Sequence, residues 1–197
     1  MNLEGFKAMF ATEPKVHIIG HWNYAPGVVK DVHVLPYFLG NRSPHADPHA
    51  RAIIDGTTLD KSIVSQALRY YATIQAVAYG TRDIIAAMND AGYRIRKLFV
   101  TGGATKNPLW LQEQADATGC TVVLPREPDA VLLGSAVLAA AASGMHPDVL
   151  SAMQAMSGEG RTIEPRAATA VYHRAKFKLF QELYRQQCQR RAAMAKF

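Results

Sequence analysis

Cysteine is scarce: Cys120 and Cys188 are the only two in 197 residues, and they form no CxxC pair. No disulfide framework follows, which fits a reducing compartment and makes the cytoplasm the expected location. Long hydrophobic runs are absent too. The one extended apolar stretch, Ala130 to Gly144, is rich in Ala and Gly and too short to span a bilayer as a helix, so a buried helix is expected there and no membrane partner. The amino terminus, with Glu4 and Lys7 in its first residues, lacks the apolar core and cleavage site of a secretory signal. Acidic residues are nearly missing from the tail alone. Residues 161–197 hold nine Lys and Arg against two Asp and Glu, so the net charge of +6 belongs to the tail. Tyr172, Leu179 and Leu183 recur there at helical spacing, which predicts a basic helix packed by one apolar stripe and no nucleic-acid partner.

The chain is long enough for one sizeable core, or for one domain plus a tail. Residues 1–31 are poorly defined by pattern. Val16 to Ile19 is a short apolar run, Pro26-Gly27 a turn, and His17 and His21 have ligand-like spacing with no third ligand nearby, so no metal site is expected. A strand is predicted within Val32 to Phe38, ended by Pro36. The polar loop 40–51 follows, broken by Pro44 and Pro48; local bonding of Arg42 and Asp47 and a role as a cleft wall are both open. Thr57 with Asp60 resembles a capping box and is expected to open a long helix. Ile63, Ala67, Tyr71, Ile74, Ala78, Thr81, Ile85 and Met88 form its apolar stripe until Gly92, and Gly80 is expected to admit a close neighbour.

The organising stretch is Leu98 to Pro108. Apolar residues run into Thr101, Gly102 and Gly103, and Asn107 and Pro108 suit the N-cap and first position of a helix: a strand, a tight turn and a helix N-terminus. Such a turn lets a base or a phosphate approach the backbone, though many α/β turns use glycine only as a connector. The helix should run from Pro108 to Thr118, closed by Gly119. A strand over Thr121 to Leu124, a helix over Ala130 to Ser143 with Gly134 on a small-residue face, a short helix over Pro147 to Met156, a glycine-bearing linker over Ser157 to Pro165 and the basic helix from Ala168 to Ala195 complete the order. The pattern predicts an α/β domain over 32–160 with parallel strands, ligands beyond their carboxyl ends, and a basic C-terminal helix over 161–197.

Several spaced motifs agree with a known family. Gly40-Asn41-Arg42-Ser43-Pro44 with Asp47-Pro48, the long helix, Thr101-Gly102-Gly103 with Asn107-Pro108, Gln112, Ala115-Asp116 and Gly119, and Gly134-Ser135-Ala136 together resemble the C-terminal half of the FGGY carbohydrate kinases. The spelling at Gly40 to Pro44 is similar to the ribulokinase-type branch. The resemblance implies an α/β fold of the actin-like ATPase, ribonuclease H-like class, as the C-terminal half of a two-domain sugar kinase. It also implies ATP with Mg2+ as cofactors: the backbone of Thr101, Gly102 and Gly103 against the adenosine, the Asn107 amide on the base, Gly134 behind the pocket, and Gly56 and Thr57 toward the phosphates. The reaction implied is transfer of the γ-phosphoryl group to a ketopentose like D-ribulose or to a related polyol.

In this family an Asp-Gly-Thr phosphate loop and a Gly-Asp catalytic motif lie in the preceding half, and neither is expected in this chain. No Gly-Asp pair occurs in this chain, and Asp47, Asp55 and Asp60 do not match the catalytic position, so no catalytic residue and no metal ligand are assigned. The expectation is a nucleotide-binding half that meets its sugar mainly through an N-terminal domain outside this chain. Strands of the family's sheet precede residue 1, so the strand at Leu98 is expected to lack a neighbour, with marginal stability and homo-oligomerisation as consequences. The competing expectation is a non-catalytic binding or assembly module of the same fold.

Overall fold

A computed structural model describes residues 26–197; the run Val16 to Ile19, His17 and His21 lie outside the described residues. The elements are β1 (His33–Leu35), β2 (Ile53–Asp55), α1 (Ile63–Asp90), β3 (Lys97–Phe99), α2 (Pro108–Thr118), β4 (Thr121–Pro125), α3 (Ala130–Ala142), α4 (Val149–Met156), β5 (Glu159–Ile163) and α5 (Ala170–Met194). Short 3₁₀ turns occupy Pro26–Val29, Gly103–Lys106 and Ala167–Thr169. Among the described residues no helix is long and apolar enough to cross a membrane.

The long helix forms where its stripe lies, but it starts later than the Thr57 signal. Ser62 is the N-cap and accepts from Ser65 N, while Asp60 Oδ1 accepts from Ser62 N at 2.8 Å. Asp60 thus props the cap instead of closing a box with Thr57. Tyr71, Ile74, Ala67 and Leu109 of α2 pack with Val29 and Val34 into one cluster. Ala78 and Tyr79 meet Leu35, Ala117, Phe177, Phe180 and Leu183 in a second, so α5 is part of the core rather than an appendage. Nothing lies within 4 Å of a Cβ added at Gly80, so the close neighbour expected there is absent among the described residues.

The strands form two sheets. β1 pairs antiparallel with β2, with Val34 opposite Ile54. In the other the order is β3-β4-β5; β3 and β4 are parallel, with Leu98 opposite Val122, and β5 runs antiparallel to β4. β5 replaces most of the expected linker and crosses the boundary drawn at residue 160. Its glycine reads as flexible in sequence and serves contact in space: a Cβ at Gly160 would stand 2.9 Å from the Pro125 carbonyl oxygen, so only glycine lets the strands approach there.

α3 differs most from expectation. It is capped by Asp129, whose Oδ1 accepts from Leu132 N at 3.0 Å, yet of its residues only Val137 and Ala140 are buried. Val131 is 80% exposed and Leu132 67%. The apolar helix packs on α4 and leaves its other face open.

Candidate functional site

β3 ends at Phe99, and the chain turns through Thr101, Gly102 and Gly103 into the 3₁₀ turn before α2. Gly102 takes φ +87°, a left-handed value that any side chain would strain. Thr105 donates its hydroxyl to the Gly102 carbonyl at 2.7 Å, closing the turn. Opposite stands the start of α3. Between them lies a cleft of about 400 Å³, lined by Thr101, Gly102, Gly103, Thr105 and Lys106 on one side and Pro128, Asp129, Ala130 and Val131 on the other. A Cβ added at Gly102 or Gly103 would meet nothing within 4 Å. Backbone is therefore the surface that a flat ligand would meet, and the cleft lies at the carboxyl end of a parallel strand.

Three of the residues expected at a nucleotide, Thr101, Gly102 and Gly103, come together in this cleft. The others do not line it. Asn107 turns its amide into the protein: Oδ1 caps α2 by accepting Trp110 N at 3.2 Å, and Nδ2 lies 3.4 Å from the Tyr70 hydroxyl. Gly134 lies one turn into α3, past the residues that form the wall. Gly56 and Thr57 follow β2. Contrary to expectation, Asp55-Gly56-Thr57 does spell the Asp-Gly-Thr tripeptide, but Gly56, at φ +76°, is pressed on the Asp31 carbonyl, where a Cβ would stand 1.8 Å from the oxygen. That glycine answers a backbone crossing. Sequence reasoning missed Thr105, Lys106 and the Pro128–Val131 wall; the cap signal at Asp129 was the available clue.

The loop after β1 is held by α5. Asp47 accepts from Tyr184 OH at 3.1 Å and from Arg191 Nη1 at 3.1 Å. The Arg191 guanidinium holds this carboxyl well below the usual range. His45 Nε2 pairs with Asp83 Oδ2 at 3.0 Å and stacks on Tyr184. Asp47 therefore bonds across the fold as well as locally, where Oδ1 also accepts from His49 N at 3.0 Å.

Where α1, α2 and α5 meet, ionisable side chains are buried together. Asp116 Oδ2 accepts from Arg166 Nε and Nη2 at 2.7 and 2.6 Å, and Oδ1 from Arg166 N and Gln112 Nε2 at 2.7 and 2.9 Å. Glu113 and His173 stand beside that pair, fully buried. Gln112 and Asp116 fall within the motifs quoted above, but no motif announces their meeting with Arg166, Glu113 and His173, because those contacts join residues about fifty to sixty positions apart.

The profile of the FGGY family of carbohydrate kinases, C-terminal domain, matches residues 10–143. A zebrafish (Danio rerio) FGGY carbohydrate kinase domain-containing protein is 46% identical over 156 residues, covering 79% of this chain and 29% of its own length. A D-ribulokinase of Saccharomyces cerevisiae is 45% identical over 105 residues, covering 53% of this chain and 15% of its own. Among solved structures, xylulose kinase from Rhodospirillum rubrum superposes with a TM-score of 0.66 at 25% identity, over 93% of this chain and 37% of that one. Plasmodium falciparum glycerol kinase with ADP gives 0.64 at 20% identity, over 91% and 35%. The chain thus spans about a third or less of these relatives, with their α/β fold of the actin-like, ribonuclease H-like class. It belongs to the FGGY family of carbohydrate kinases and represents that family's C-terminal domain.

Proposed function

We propose that this chain is the ATP- or ADP-binding half of a carbohydrate kinase that passes the γ-phosphoryl group to a ketopentose of the D-ribulose type. The observation that carries the reading is the cleft between the Gly102-Gly103 turn and the start of α3, where backbone replaces side chains on one wall. The adenosine lies against Thr101, Gly102 and Gly103. Asn107 acts by fixing the turn through its cap. Lys106, at the rim, faces the charge of the phosphates. The spelling Gly40-Asn41-Arg42-Ser43-Pro44 and the yeast relative's name support a ribulose-like substrate.

Phosphoryl transfer also needs a carboxylate to take the hydroxyl proton and a cation to spread the charge. The nucleotide would bring Mg2+, but the cleft offers one carboxylate, Asp129, whose Oδ1 is committed to capping α3. A single committed carboxylate does not make a metal site at the cleft. No residue of this chain is assigned as catalytic base; the sugar and the base belong to the N-terminal part of the kinase.

Calorimetric titration with ADP tests the reading. Gly103 has open space where a Cβ would go and no positive φ, so Gly103→Val fills the cleft without straining the turn. The wild type should bind saturably, and the variant at least roughly tenfold more weakly with an unchanged melt. Asn107→Ala, which loses a cap, should lose about 1 kcal/mol of stability first. Equal affinity in Gly103→Val would refute the site. The exposed apolar face of α3 favours a second reading, an assembly module without nucleotide, and a folded wild type that ignores ADP would favour it over the first.

A further inference from the structure

Two polar atoms at the junction of α1, α2 and α5 are sealed from solvent without a hydrogen-bond partner: Glu113 Oε2 and His173 Nε2. They lie 3.8 Å apart, on side chains with no exposed surface. Each side chain is held from behind. Glu113 Oε1 accepts the Tyr71 hydroxyl at 2.6 Å, and His173 Nδ1 lies 3.0 Å from the Tyr79 hydroxyl. The gap between the two atoms is longer than a hydrogen bond and much shorter than two placed end to end, so no water fits on the line between them. Leaving both unpaired in a dry core is costly. A single proton shared between them, once the side chains close to hydrogen-bond distance, satisfies both.

We propose that Glu113 and His173 form a buried proton-binding site in which the protonation of Glu113 selects the tautomer of His173. With Glu113 neutral, its Oε2–H donates to Nε2, and Nδ1–H donates to the Tyr79 hydroxyl oxygen. With Glu113 ionised, one proton has gone to solvent. The imidazole then carries its proton on Nε2 and donates it to the carboxylate, while the Tyr79 hydroxyl turns to donate to Nδ1. The imidazole is neutral in both states, and one proton is released between them. Because Tyr71 and Tyr79 lie on α1, Glu113 on α2 and His173 on α5, the switch reverses hydrogen bonds that tie three helices together.

The surroundings agree. Asp116 from α2 and Arg166, ahead of α5, form a closed ion pair beside the site; α1 contributes Arg82, Tyr71, Gln75 and Tyr79, and α5 contributes Tyr172 and Lys176. Burial pushes the Glu113 carboxyl up to about 7, against the Tyr71 bond, with Asp116 adding to the rise. Burial likewise lowers His173 to about 4, opposed by Asp116 and aided by the charges of Arg166, Arg82 and Lys176. A divalent cation is the other occupant these residue types suggest, with Asp116 as a third ligand. Both Asp116 oxygens, however, already accept two donors each, which leaves a cation two protein ligands.

Nitrogen NMR of the full chain, with ¹⁵N in the histidine rings and the His173 signals identified by loss in His173→Gln, tests the site. The wild type should show the Nδ1–H tautomer below neutral pH and change to Nε2–H as the pH rises through about 7; Glu113→Gln should hold one tautomer throughout. A His173 that becomes imidazolium in that interval, or keeps one tautomer in the wild type, overturns the proposal. So does one Zn2+ retained per chain and lost in Glu113→Gln.

Discussion

Lys176 carries its charge into the core between α5 and the segment leading into β1. Its Nζ donates to the Val29 and Val32 carbonyls at 3.0 and 2.6 Å and lies 3.0 Å from His33 Nδ1. These acceptors do not match water for an ammonium group, and burial lowers its pKa from 10.5 to about 8. The folded state therefore binds fewer protons than the unfolded one between those values, and stability from this group rises as the pH climbs from about 8 toward 10.5. Lys176→Met keeps the stem and removes the titration. Relative to that variant the wild type should gain on the order of 2 to 3 kcal/mol across the interval, measured by urea unfolding. Parallel curves would show that the site is wetter than its packing indicates. Nothing at position 176 hinted at this, since one lysine in a basic helix looks like any other until Phe177 and Phe180 are placed.

Among the elements, β3 is an open edge. It bonds to β4 on one side and, among the described residues, to no strand on the other, with Phe99 65% exposed. An open apolar edge templates pairing with another chain. The protein should therefore self-associate with rising concentration in sedimentation velocity, and Phe99→Lys should move it toward monomer with little change in its melt. A strictly monomeric wild type would count against this. The same sheet shows what pattern can and cannot tell. β3, α2 and β4 were legible because each carries its own apolar run and its own stops, Asn107-Pro108, Gly119 and Pro125. β5 was not, since Gly158 and Gly160 carry no strand signal and the latter is selected by contact with Pro125. The face of α3 misled in the other direction: its hydrophobicity predicts burial, but which neighbour covers a helix is not written in the helix.

Across the whole molecule, α5 works as a brace for a loop about 140 positions earlier in the chain. Arg191 and Tyr184 hold Asp47, and Gln187 bonds both backbone groups of Arg51, accepting from its N–H at 2.9 Å. Asn41 and Asp47 exchange backbone bonds of 2.8 and 2.7 Å inside that loop. Arg191→Ala should leave the fold intact and raise amide exchange at Asn41 and Asp47 by roughly tenfold or more, since local opening is governed by such tethers. Unchanged protection would mean that the loop holds itself.

The family, the α/β class, the long central helix and the glycine turn were all readable along the chain, because local patterns of apolar residues, caps and glycine have local physical causes. The sequence also placed Thr101, Gly102 and Gly103 together, since they are neighbours in the chain. Tertiary structure alone decided that Asn107 serves α2, that Gly56 answers a backbone crossing at Asp31, that Pro128 to Val131 form the far wall, and that Glu113 meets His173. Those are consequences of which surfaces come to face one another, and burial and unpaired polar atoms exist only once they do.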